Sequence, residues 1–245
     1  MKLNNQLIRG FCLGLVGVST FQTAFSQMQN NPGSNHGNKF EQLGSLLSDP
    51  NIFRTASGAP GSMYWQQKAD YVIDVEVDEV NQLLKGSETI TYTNNSPDPL
   101  SYLWLQLDEN EHADNAESKR FDQSSLRERM SLESLKSIVP EQKGYGVNIR
   151  KLTDASGKAM DYVINYTMMR VDLPTPLKPG AKISLKIDWD YKITDRMVEN
   201  GRGGYEHFAK DDNYLYTIAQ WFPRMADYSH FQGWENKQFT GRGVF

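Results

Sequence analysis

The chain has 245 residues, room for one large all-β domain or two small ones, and its 38% hydrophobic and 11% aromatic content can build a core, which excludes wholesale disorder. Its formal charge of −4 carries no block of like charge. A nucleic-acid partner, which calls for a basic patch to replace phosphate counterions, is thereby disfavoured.

Lys2 and Arg9 give a positive start, Phe11 to Phe21 is an uncharged and mostly apolar run, and Ala24-Phe25-Ser26 offers small residues where a signal peptidase reads. The run is shorter than the ~20 residues a bilayer span needs. Residues 1–26 therefore read as a signal peptide, with an uncleaved anchor as the alternative. Bulky Phe11 before Cys12 argues against a lipoprotein. The protein is expected to be secreted or periplasmic, with no membrane association after cleavage. Removing residues 1–26 takes the formal charge to −6 and removes the one cysteine, Cys12. The mature chain then has neither a disulfide nor a thiolate ligand.

Residues 27–50 read as a Gln-, Asn- and Gly-rich leader followed by a short helix. Phe40, Leu43, Leu46 and Leu47 recur at helical spacing, and Pro50 sets the stop. Residues 51–245 are the expected β-domain. After an irregular loop at 56–61 the period becomes two: Tyr71, Ile73, Val75 and Val77 alternate with a largely acidic set. Glu88 to Thr93 continues the pattern, Asn94 to Pro99 is a turn, and Leu100 to Leu107 reads as a strand covered on both faces. In Lys182 to Ile193 every second residue from Ile183 is apolar. Further strands are expected at 147–152, 162–166, 168–173 and 213–220, with hairpins at Ser156-Gly157 and Pro179-Gly180. Ser124 to Val139 suits a short amphipathic helix that Ser124 caps. Many closely spaced strands predict an all-β fold, a β-sandwich or saddle-like sheet with one or two short helices.

A metallopeptidase site commonly carries His-Glu-x-x-His, in which two imidazoles one helical turn apart bind zinc and the Glu activates water. That motif is absent, and His36, His112, His207 and His230 are never four apart. Glu111-His112 with Asp114, and Glu206-His207, are weak metal candidates of a kind that surface loops carry by chance. No Gly-x-Ser-x-Gly nucleophile elbow occurs. Asn200 to Glu206 reads as a mobile Gly-rich loop rather than a phosphate cradle, since no Lys-Ser/Thr follows. Ala219-Gln220-Trp221-Phe222-Pro223-Arg224 brings an amide, aromatics and a guanidinium together. It reads equally as a packing surface or as a substrate contact.

Several segments resemble one family in order and spacing. They are Tyr64-Trp65-Gln66-Gln67 before Asp70-Tyr71, Gly86 to Asn94, Leu103 to Leu107 with Asn110, Thr217 to Arg224, and Gly233-Trp234. Together they are similar to the N-terminal β-domain of alanyl-aminopeptidase-type zinc metallopeptidases (peptidase family M-one), secreted bacterial type. The resemblance runs from about Asn51 to Phe245. It implies a saddle-like β-domain resting on a separate catalytic domain, which supplies the zinc ligands and the Gly-x-Met-Glu-Asn loop. Neither element is in this chain, so it reads as a fragment truncated within its β-domain, with no metal or cofactor of its own and zinc in the full-length parent. The implied partners are a peptide substrate and the catalytic domain. The implied substrate-binding residues are Gln220, at the substrate's free α-amine, and Arg224, at the family's usual arginine. Trp221, Phe222 and Trp234 are expected to leave an uncovered face. The alternatives are a stand-alone periplasmic β-sandwich that binds peptide or glycan through exposed Trp and Tyr, and an epoxide hydrolase or inactive relative.

Overall fold

The structure, a computed structural model, describes residues 50–117, 129–134, 144–199 and 203–241. The expected signal peptide, the helix at 40–47, most of the helix at 124–139 and the last four residues lie outside these. The chain divides into two units, Met1–Ser62 and Met63–Phe245. In the first, Asn51 Oδ1 accepts hydrogen bonds from the Phe53 and Arg54 amides at 2.8 and 3.0 Å, and Arg54 bridges Pro60.

The second unit contains two four-stranded antiparallel sheets. One has the order β1 (Lys68–Asp78), β2 (Leu83–Thr93), β7 (Lys182–Lys192), β4 (Asn148–Asp154). The other runs β10 (Arg224–Met225), β3 (Leu100–Gln106), β6 (Met168–Leu177), β5 (Tyr162–Asn165). Two separate hairpins are β8 (Gly204–Phe208) with β9 (Asn213–Thr217), and β11 (Tyr228–Ser229) with β12 (Gly233–Trp234). A 3-10 turn spans Asp108–His112, and a single helical turn, α1, spans Arg196–Glu199. The predicted all-β class holds. Among the described residues no helix is long and apolar enough to cross a membrane.

The strict alternation of β7 explains the core. Leu185, Ile187, Trp189 and Tyr191 are buried on one face, and Leu103, Leu105, Met169 and Val171 from the second sheet join them in one cluster. Burying such side chains contributes ~1.5–3 kcal/mol each. Alternation in β1 is only half realised. Tyr71 and Ile73 are half-buried, whereas Val75 and Val77 are exposed, because β1 is an edge strand with a neighbour on one side only. In β3 the expected burial on both faces is likewise partial: Ser101 is exposed, and Tyr102 and Trp104 are half-buried.

The hairpin expected at Pro179-Gly180 is a corner instead. It joins β6 to β7, which belong to different sheets. The turn at 94–99 joins β2 to β3 in the same way, and Asn94 locks both corners. Its Nδ2 donates to the Asp98 and Leu177 carbonyls, and its Oδ1 accepts from Gln67 Nε2, Ser96 N and Ser96 Oγ. Its backbone pairs with Gly180 and Ala181. A fully buried amide is tolerated there because every polar atom has a partner. Ser156-Gly157 does form a short hairpin, capped by Asp154 and paired at Thr153 with Ala159, before the chain crosses into β5 of the other sheet. The mobile loop expected at 200–206 is, from Gly204 onward, strand β8. Gly204 sits at φ +122 against the Thr194 carbonyl, an approach that leaves no room for a Cβ.

Candidate functional site

Among the described residues four non-glycine residues have left-handed backbone: Gln82, Tyr166, Asp212 and Gln220. The first three occupy the turns β1–β2, β5–β6 and β8–β9, where tight reversal demands positive φ. Gln220, at φ +56, lies between β9 and β10 and belongs to no hairpin. It is half-buried, and no hydrogen bond ties its amide to another described residue. Such a conformation costs on the order of 1 kcal/mol and persists only where the surroundings hold it.

The surroundings do hold it. Trp221 packs on Trp189 with ring centroids 5.9 Å apart, and Phe222 meets the Tyr71 ring edge-on at 5.5 Å. Pro223 is buried. Arg224 and Met225 pair with Gln106 and Leu105, which makes β10 the outer strand of the second sheet. The Met225 amide donates to Tyr71 Oη at 2.9 Å, and the Ala226 amide to the Trp104 carbonyl. Arg224 Nε donates to Asp108 Oδ2 at 2.9 Å, with the Asp108 side chain 3% exposed. Burial raises the Asp108 pKa, and the guanidinium works against that rise. Gln220 and Arg224 thus share one fixed segment, but the Arg224 side chain is engaged with Asp108. Of the face expected to be uncovered, Trp221 and Phe222 pack on Trp189 and Tyr71 of the first sheet and Trp234 on Tyr92 and Tyr228 at 6.1 and 5.1 Å, and all three stay half-buried.

Two buried carboxyls that sequence reading did not single out lie on β2 and on the 3-10 turn. Glu88 is 2% exposed, neither of its oxygens has a partner among the described residues, and burial pushes its pKa up to about 8. The alternation of β2 should have exposed it as an acid at an inward position between Gly86 and Ile90. Glu109 on the 3-10 turn is pushed up to about 7 by burial; Glu111 and Asp108 add to the rise, and His112 opposes it.

The weak metal candidates do not assemble. His207 and Glu206 are adjacent on β8 and so point to opposite faces. His207 Nε2 lies 3.0 Å from Asp212 and its ring stacks on Tyr214, whereas Glu206 pairs with Arg196 at 3.6 Å. His112 lies 3.3 Å from Glu111. Among the described residues no group of three His, Cys, Asp or Glu side chains can hold a metal, so they do not fit a zinc ion. A groove of about 440 Å³ runs along the first sheet, lined by Asp74, Glu76, Lys85, Arg150, Asp188 and Asp190. Arg150 and Asn148 both bond to Asp190 there.

No protein-family profile matches the chain, and no curated protein matches it. Among solved structures it is similar to an M1 zinc metallopeptidase from Deinococcus radiodurans, at 17% identity and a TM-score of 0.35, over 59% of this chain and 25% of that one. It is also similar to a two-domain M1 zinc metallopeptidase mutant bound to L-tryptophan, again at 17% identity and a TM-score of 0.35, over 62% of this chain and 27% of that one. The chain spans about a quarter of the length of these structures.

Proposed function

We propose that this chain is the N-terminal, substrate-gating and supporting domain of a secreted, zinc-dependent aminopeptidase-like metallopeptidase that removes N-terminal residues from peptides. The observation that carries the reading is Gln220: a left-handed glutamine outside any hairpin, fixed on its C-terminal side by Trp221, Phe222 and Arg224. It stands in the segment whose sequence resembles that family's contribution to the substrate-amine pocket. Zinc would supply the activated water, held by residues of the catalytic domain.

In this reading the Gln220 amide oxygen accepts a hydrogen bond from the substrate's α-ammonium. Such a charge-assisted bond is worth ~1.5–3 kcal/mol and selects peptides with free N-termini. The Asp108–Arg224 pair keeps the segment in register with β3. The test is Gln220→Ala in the full-length enzyme. It should lower kcat/KM for free-amine substrates by roughly tenfold to a hundredfold while leaving the melting temperature nearly unchanged. An unchanged kcat/KM removes Gln220 from the site. A lowered melting temperature with normal kinetics assigns it to stability instead.

A further inference from the structure

The β8–β9 hairpin has features that the proposed function leaves unused. Its strands pair Tyr205 with Tyr216 and His207 with Tyr214, so all four rings share one face. Tyr214 sits at the centre, with ring centroids at 4.6 Å from His207, 6.1 Å from Tyr205 and 6.3 Å from Tyr216. The root of this face packs on the core through Tyr205 and Tyr216, and Tyr216 Oη donates to Gln82 Oε1 at 2.8 Å. Tyr214 itself is 42% exposed, and on the opposite face Leu215 and Phe208 are 49% and 44% exposed. Large apolar side chains exposed together mark a contact surface.

Among the described residues β9 pairs only with β8, so its outer edge offers backbone donors and acceptors to an added strand. Acids lie near the Tyr216 hydroxyl and in the hairpin turn. Asp78 and Glu79 act on the Tyr216 hydroxyl, whose pKa is raised first by burial and then by these neighbours, against the Gln82 bond. Asp211 and Asp212 occupy the hairpin turn with Lys210. Asp195 pairs with Tyr205 on the β8 side of the hairpin, away from the outer edge of β9. Of the bases near the hairpin, Arg196 is engaged with Glu206, His207 with Asp212, and Lys85 acts on Asp78, which leaves Glu79 and Asp211 as the acids for a guest.

We propose that the outer edge of β9 is a docking site for an extended, basic polypeptide segment, which adds as a third strand and sets Arg or Lys side chains against the carboxylates of Glu79 and Asp211. Backbone pairing supplies affinity in this mode, and alternate side chains supply selectivity. The apolar side chains of the guest strand meet Tyr214 on one face and Leu215 on the other. The carboxylates favour cations over anions and make the contact sensitive to salt.

The test is titration calorimetry of the full chain with an N-acetylated, C-amidated peptide of alternating Arg and Val. Acetylation removes the free amine, so the result is independent of the role proposed for Gln220. Binding in the micromolar to millimolar range is expected, together with loss of binding when alternate peptide amides are N-methylated. Glu79→Lys with Asp211→Lys, both fully on the surface, should weaken binding at least about fivefold without lowering the melting temperature. Tyr214→Ser should weaken it independently of charge. An Asp-for-Arg peptide should not bind. The proposal is overturned by absence of binding, by binding indifferent to N-methylation or to charge reversal, or by a hairpin that takes an oligosaccharide and not the peptide.

Discussion

Replacing Glu88 by Gln isolates the energetic consequence of a carboxyl buried in an apolar core. Glu88 projects from β2 into the row made by Ile73, Ile187 and Leu152. Its oxygens have no partner among the described residues, and burial moves its pKa from 4.5 to about 8. A carboxyl with a raised folded pKa keeps a proton that the unfolded chain has already released. Its stabilising contribution is therefore complete below pH 4.5 and is lost progressively as pH rises through about 8. At about 1.4 kcal/mol per pH unit, the full interval corresponds to ~5 kcal/mol, and the part between about pH 5 and about pH 9 to ~4 kcal/mol. Typical domain stabilities of about 5–15 kcal/mol make that decisive. Glu88→Gln stays neutral throughout. Denaturant unfolding of both proteins across that pH range should show the variant gaining on wild type by ~4 kcal/mol as the pH rises. The Glu109 contribution, which titrates in the same window, cancels in the difference. So does the constant cost of the unpaired amide. A difference that stays flat to within ~1 kcal/mol would refute the assignment of Glu88 as a buried, unpartnered acid.

Removing Arg224 should leave Asp108 buried without its cation, so Arg224→Ala is expected to cost ~3 kcal/mol in chemical denaturation. The double variant Arg224→Ala with Asp108→Ala should recover part of that loss; no recovery would mean that the pair is not coupled. A Cβ at Gly86 would meet the Trp189 indole, so Gly86→Ala should cost ~1–3 kcal/mol and change the near-ultraviolet circular dichroism of the tryptophans. A variant as stable as wild type would show that the indole does not lie over β2.

The strands were legible where one residue in two is apolar and buried. β7 is read from the sequence almost without error, because Leu185, Ile187, Trp189 and Tyr191 all face the core. Pairing between strands was less legible. A Pro-Gly dipeptide marks a reversal but does not say whether the chain returns to the same sheet, and Pro179-Gly180 crosses to the other one. The crossing depends on Asn94, which joins Asp98 of its own turn to Gln67 and Leu177 from distant places in the chain. Strand β8 was missed because Gly203 and Gly204 announce flexibility, whereas the second of them is required by close approach to Thr194. At the site, the segment 220–224 was found by its unusual composition. Its anchoring residues Tyr71, Asp108 and Trp189 could not be, since they come from three other strands or turns and meet it only in the folded chain.

Left-handed backbone at Gln220 needs a cause, and the packing around it narrows the choice. If the strain served folding, a glycine at this position would satisfy the same φ with no Cβ penalty. The side chain would then be expected to make a contact that a glycine lacks. Yet no hydrogen bond joins the Gln220 amide to another described residue, while Trp221, Phe222, Arg224 and Met225 are all committed to β1, β3, β7 or the 3-10 turn. The segment therefore spends its contacts on fixing the backbone on one side of Gln220 and leaves the amide itself unengaged. A strained residue held by its neighbours, with an uncommitted polar head, accords with the ligand contact proposed for Gln220, and the Gln220→Ala kinetics decide it. The same logic separates Gln220 from Arg224. The guanidinium has a buried partner in Asp108 through Nε, so replacing Arg224 perturbs the fold of the segment as well as any contact its Nη groups make, which Gln220→Ala does not.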